Sequence, residues 1–316
     1  MNFRWSSLLI SAIALTAMVG CGGSNSNGPA TGPTVQNYYV ADTGNHRLVR
    51  FASFAAPTGF VPYVLPGANA TPTDIAFDSG GSVYFVDSTN SVLARINSDF
   101  AGDGYTTYPV APGSGPTALS NPTGIAIDAN NRIYIADTGN GRIVRMDDLN
   151  GTNWVSFPPP GSSAKPFIAP YNVRVDPNFN IYVSDPQANA VYRMTDMSGS
   201  NFASLKAFQS SRPTFNNPTG LELDFQLKLY VADTNNNRIV RVDNIGGANE
   251  IEWDSGGTVG NLMGLTVLGR DQILMADTLH SRIYRILDMT GSSPSSYGGP
   301  GSSTDQLSGP VAVRAH

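Results

Sequence analysis

Four aspartates in this chain each stand five residues ahead of an arginine: Asp42 and Arg47, Asp137 and Arg142, Asp233 and Arg238, Asp277 and Arg282. At that spacing a carboxylate and a guanidinium face each other across a hairpin, an arrangement worth a few tenths to about 1 kcal/mol. The carboxylate also accepts backbone N–H groups within the turn. Acid–base catalysis would call for one aspartate unlike the rest. These recur in near-identical copies, so the pairs read as structural. Asp87 and Asp185 have Val92 and Ala190 where the arginine falls, and are expected to lean on turn N–H groups instead. A second arginine follows three residues later, at Arg50, Arg95, Arg145, Arg193, Arg241 and Arg285. That offset puts it on the opposite strand face, where bridging between repeats or to loop carbonyls is expected.

Zinc chemistry needs three or four protein ligands. The chain has three histidines, His46, His280 and His316, and one cysteine, Cys21. His46 and His280 are read at equivalent turn positions of the first and last copies, and both as surface turn residues. No Gly-x-Ser-x-Gly elbow, phosphate loop or Ser/His/Asp order stands out.

The elements that position these residues are short. In Pro122–Met146, PTGIAIDANNRIYIADTGNGRIVRM, apolar runs of about five residues alternate with Gly/Asn/Asp clusters, and Pro-Thr-Gly reads as an opening turn. Such runs suit strands, and connections this short force antiparallel hairpins. Copies occur at Tyr38–Phe51, Pro72–Ile96, Pro170–Met194, Pro218–Val242 and Met263–Ile286. The aspartates Asp42, Asp87, Asp137, Asp185, Asp233 and Asp277 are 45, 50, 48, 48 and 44 residues apart. A period of that length with only strand signals predicts a propeller with four strands per blade. Candidate fourth strands are Tyr105–Val110, Asn153–Phe157, Phe202–Phe208 and Glu250–Trp253. Asp78, Asp128, Asp176 and Asp224 read as turn caps, and Tyr84, Tyr134, Tyr182 and Tyr230 as packing residues.

The pattern P-T-G-[IL]-x-[IL]-D followed by [IL]-Y-[IV]-A-D-T-x-N-x-R-I-V-R resembles the NHL repeat of six-bladed β-propellers. The resemblance implies a fold. Its members include enzymes, binding modules and sensors. The first copy lacks an opening strand, whereas Ser308–Val313 resembles one with nothing after it. The expected fold is therefore all-β: six four-stranded antiparallel blades closed by pairing of the N- and C-terminal strands, which removes free edges.

Charged residues make up only 14% of the 316-residue chain, net charge is −5, and Gly (33) and Pro (22) are abundant, as many turns require. With no basic stretch, nucleic-acid binding is disfavoured. Residues 1–20 read as a lipoprotein signal peptide, with Arg4 ahead of an apolar core at Leu8–Val19 that is too short for an ordinary spanning helix. Met18-Val19-Gly20-Cys21 resembles a bacterial lipobox, with Cys21 as the lipidated residue. A lone cysteine also rules out a disulfide within the chain. Residues 21–36 then form a flexible tether, reaching roughly 20 Å by random-coil scaling, and 37–316 the propeller. The implied address is the bacterial cell envelope, at the outer membrane or cell surface.

The glycine of Pro-Thr-Gly is where the repeats differ. Across the blades the position reads Asp74, Gly124, Asn172, Gly220, Gly264 and, by looser alignment, Pro310. Asp74 and Asn172, with Tyr171 beside the latter, are the candidates for the channel mouth. Oxygen ligands from separate blades suit Ca²⁺, and the resemblance to gluconolactonase-type propellers implies a channel metal. Two oxygens are too few, no axial Glu is evident, and solvated channel polars are the simpler expectation. Similarity to peptidylglycine amidating lyases would imply axial histidines that are missing here. Three functions follow: a lipid-anchored binding or scaffold module for an envelope protein or small ligand, a metal-dependent lactonase-like or lyase-like enzyme, or an extracytoplasmic sensor. The chain is read as a monomer without an evident cofactor, meeting the membrane through its anchor only.

Overall fold

The computed structural model describes residues 37–54, 60–67, 69–98, 100, 104–206, 214–269 and 272–316. The leader, Cys21 and the tether lie outside the described residues. Six four-stranded antiparallel sheets account for the regular structure. Their innermost strands are Ala312–Ala315, Pro72–Phe77, Pro122–Ile127, Asn172–Val175, Pro218–Leu223 and Leu262–Leu268, taken as blades one to six. Each packs on the next, and the sixth packs on the first, so the ring is closed. Among the described residues the helical segments are three single 3-10 turns, Thr43–Asn45, Thr138–Asn140 and Thr234–Asn236.

Closure is made within blade one. Tyr38–Asp42 pairs with the C-terminal strand Ala312–Ala315 on one side, Tyr38 opposite Ala315 and Ala41 opposite Ala312, and with Arg47–Phe51 on the other. The terminal segments thus meet in one sheet, as their sequences require. Fourth strands are Val155–Phe157, Ala203–Leu205, Ile251–Asp254 and a two-residue Thr106–Thr107. Val61–Val64 and Ser295–Gly298 complete blades one and six; both lack the apolar alternation that would announce them.

The second strands are largely apolar up to their closing aspartates because both faces are covered. Ile133–Asp137 is buried at every position. Val86 and Leu93 of blade two pack with Ile125, Ile133 and Ile135 of blade three, and Val40 and Val49 of blade one with Leu274 and Ile283 of blade six. The core is thus divided among the spaces between blades. The four tyrosines are buried. Tyr134, Tyr182 and Tyr230 donate to Asp128, Asp176 and Asp224 at 3.1, 3.4 and 3.3 Å, so each turn-capping aspartate is also tied to its own second strand.

Pro-Thr-Gly is not a turn. It is the start of the inner strand, with an irregularity in register between Pro122 and Gly124. Its glycine is required by close approach. A Cβ on Gly124 would lie 2.6 Å from the Tyr171 carbonyl oxygen, and one on Gly220 2.5 Å from that of Met263.

Candidate functional site in the central channel

The Asp–Arg pairs are set by register: Asp42 lies opposite Arg47, Asp137 opposite Arg142, Asp233 opposite Arg238 and Asp277 opposite Arg282. Nε-to-carboxylate distances are 2.7, 2.7, 2.7 and 2.8 Å. The other carboxylate oxygen accepts the N–H that leads into the blade's inner strand, Ser308, Ser120, Asn216 or Gly260. The guanidinium holds the carbonyls of the same connection, as Arg142 does for Gly115, Pro116 and Ala118. Each pair therefore anchors the segment that crosses from one blade to the next. Asp87 and Asp185 accept backbone N–H groups instead, from Thr71 and Asn90 and from Ile168, Ala169 and Ala188.

The threonine after the aspartate joins blades. Thr43, Thr138, Thr234 and Thr278 donate to the carbonyls of Pro72, Pro170, Leu262 and Pro310 at 2.6–2.7 Å. This alignment corrects one reading. Pro310 stands at the proline position, and Ala312 holds the place of the glycine, its Cα lying 2.9 Å from where a Gly264 Cβ would be. The histidines are corrected likewise. His46 follows its aspartate by four residues, in the left-handed conformation at φ 56°, whereas His280 follows by three. They are not equivalent, and their contacts are separate: His46 Nδ1 meets the Ala70 carbonyl at 2.6 Å and His280 Nδ1 the Asp277 carboxylate at 2.8 Å. One of the second arginines differs from expectation: Arg193 donates to Asn180 within its own blade. Arg285 donates to Ser295 of its own blade but also stacks over Phe54 of blade one, 5.4 Å from the ring centre, a bridge between blades.

Along each inner strand, residues two apart share the axial face. The first tier is Asp74, Gly124, Asn172, Gly220, Gly264 and Ala312. The second is Ala76, Ala126, Arg174, Glu222, Thr266 and Arg314. Asp74 is fully buried and accepts five hydrogen bonds. They come from Ile75 N (2.9 Å), Ile125 N (3.2 Å), Asn172 Nδ2 (2.9 Å), Arg174 Nη1 (3.2 Å) and Arg314 Nη2 (2.6 Å). Blades one, two, three and four meet at this one carboxylate. Glu222 Oε2 of blade five lies 3.5 Å from Arg174 Nε and 3.8 Å from Arg314 Nη1, and its Oε1 accepts the Leu223 N–H.

Burial pushes the Asp74 carboxyl upward, against the pull of Arg174 and the two backbone N–H groups. Burial raises Glu222 too, opposed mainly by Arg174. The Tyr171 phenol is pushed up by burial and by the charge on Asp74. So Asp74 and Asn172 do come together at the axis, as a hydrogen-bonded pair. An axial glutamate exists, contrary to expectation. Arg174, Glu222 and Arg314 escaped the sequence reading, although their signal was visible: they stand two residues beyond the variable glycine position, where the other blades carry Ala or Thr.

This donor set does not fit a calcium ion. The oxygens of Asp74 are filled by two guanidiniums, an amide and two N–H groups, and Asn172 turns its NH₂ towards it. Among the described residues there is no group of three or more His, Cys, Asp or Glu able to hold a metal.

Beyond the second tier the channel widens into a cavity of about 440 Å³, at the end away from the Asp–Arg turns. Ala76 and Ala126 line one side and Arg174, Glu222 and Arg314 another, with Phe77 and His316 at the wall. The space exists because blades two and three carry alanine where blades one, four and five carry long side chains.

Fold and channel together define a six-bladed β-propeller whose axis is closed by an ion network. Residues 119–146 match the NHL repeat family model. No curated protein matches the chain. Among solved structures, the propeller is similar to a chain of a nidogen/laminin complex, with 18% identity over 89% of this chain and 98% of that one, at TM-score 0.69. It is similar to a protein of unknown function from Bacteroides caccae, with 12% identity over 89% and 99%, at TM-score 0.62. It is also similar to virginiamycin B lyase from Staphylococcus aureus, with 16% identity over 85% and 83%, at TM-score 0.59. At these identities the likeness is one of fold.

Proposed function

We propose that the protein is a binding module for a small ligand, displayed in the bacterial cell envelope on a lipid attached to Cys21. The observation that carries this reading is the saturation of Asp74. A carboxylate accepting five hydrogen bonds, two of them from arginines, is held in place and has no lone pair to spare for a proton or a metal. The axial charges brace the ring, and the cavity beyond them, open to solvent and about 440 Å³ in volume, lies within the size range of small-molecule pockets. The lactonase-like or lyase-like alternative has no such support from the channel, and the similarity to virginiamycin B lyase extends to the fold.

The test has two arms. Purified protein incubated with lactones and cyclic depsipeptides, with and without Ca²⁺ or Zn²⁺, is expected to turn none over. Turnover that Asp74→Asn abolishes would overturn the binding reading. In cells, labelled fatty acid is expected on the wild type and not on Cys21→Ala; a soluble, unlabelled wild type would remove the anchor.

A further inference from the structure

The walls of the cavity specify a charge and a shape. Three carboxylates line it, those of Asp78, Asp128 and Glu222, together with two guanidiniums, Arg174 and Arg314. Most of this charge is already spent. Asp128 holds Arg132 and the Tyr134 hydroxyl. Asp78 Oδ1 accepts the N–H groups of Gly80 and Ser82. Arg314 donates to the carbonyls of Ile75, Leu265 and Val313 and to Asp74. Arg174 Nη1 donates to Asp74, Ile125 and Val173, while its Nη2 is shut off from solvent without a partner.

Glu222 is the exception. Its side chain is 18% exposed, and Oε2 meets its two arginines only at 3.5 and 3.8 Å, beyond good hydrogen-bond length. It is an acceptor in the cavity with capacity left. Three carboxylates against two guanidiniums in the lining leave an excess of acidic groups, so the local field favours a positive charge. The remaining wall mixes apolar side chains with the polar Ser79, Asn131 and His316. Ala76 and Ala126 are small, and the Phe77 ring stacks on His316 at 4.6 Å between centroids. His316 covers one face of the Phe77 ring and Tyr39 lies 4.8 Å from it, so the apolar contact on the axial side is that of Ala76 and Ala126.

We propose that this cavity binds a small organic cation, an ammonium or guanidinium with a short apolar body, its head on Glu222 and its body against Ala76 and Ala126. The proposal rests on the binding-module reading and deepens it. An anion is disfavoured because the Arg174 N–H group that lacks a partner is sealed within the wall.

Calorimetric titration of the whole protein with agmatine, choline and butyrate tests it. At least one of the two cations is expected to bind in the micromolar to low-millimolar range, and butyrate is not. Glu222→Gln, checked for an unchanged melting temperature in the absence of ligand, is expected to weaken the cation at least tenfold. Neither cation binding, butyrate binding instead, or equal affinity in Glu222→Gln would overturn the proposal. In those cases the binding-module reading would stand unless turnover were seen in the separate substrate assay.

Discussion

Arg314 Nη2 donates to Asp74 Oδ1 over 2.6 Å, although 240 positions separate the two residues. Arg314 lies on the strand that closes the ring and Asp74 on the next blade round, so one buried ion pair ties the last strand to the first complete blade. Removing one partner of a buried pair leaves an uncompensated charge and costs about 3–5 kcal/mol. In Arg314→Ala the Asp74 carboxylate keeps Arg174 and Asn172, so the loss of unfolding free energy in urea titrations is expected at the lower end of that range or below it, about 2–3 kcal/mol, and a loss below about 1 kcal/mol would mean that closure depends on strand pairing alone.

Acid should loosen the turns between third and fourth strands. Asp288 is pulled down to about 2 by hydrogen bonds from Ser292 and Thr290, and Asp148 and Asp196 are lowered in the same way, by Thr152 and Ser198. Folded values below the unfolded ones mean stability present above the unfolded carboxylate range and lost as pH falls through the folded values. Melting temperature followed from pH 5 to pH 2 should fall less steeply in Asp288→Asn than in the wild type.

Glu222 carries the opposite sign. Its folded value is raised by burial, so ionisation costs the folded state stability as pH rises past the unfolded value. Glu222→Gln should therefore be as stable as the wild type or more so at pH 7, and relatively less favoured at pH 4. A variant strongly destabilised at pH 7 would show that its contacts with Arg174 and Arg314 outweigh its burial.

Gly220 stands where a Cβ would come within 2.5 Å of the Met263 carbonyl. Neither backbone can yield without moving a blade. Gly220→Ala should cost about 1–3 kcal/mol, the usual range for overpacking, read by chemical denaturation; the same change at Gly299, with nothing within 4 Å and no left-handed backbone to strain, serves as the control.

Thr234 is buried, shares a 2.6 Å hydrogen bond with Thr219 and donates to the Leu262 carbonyl. Thr234→Val keeps the shape and leaves that carbonyl short of a donor, for an expected loss of about 1–3 kcal/mol. A neutral result would mean that Thr219, 3.2 Å from the same oxygen, takes over the bond.

Periodicity made the architecture legible. Asp137 and Arg142 lie five residues apart around a tight turn, so their meeting is local and recurs wherever the motif does. The sharing of blade one between the chain ends was equally readable, because an incomplete first copy and a surplus strand at the end complement each other. Tertiary structure alone decided what sits on the axis. Asp74, Arg174, Glu222 and Arg314 are separated by tens to hundreds of residues, and no local rule brings them together. Ring closure fixes which strand faces point inward, and only then do an alanine in one blade and an arginine in another become opposite walls of the same cavity.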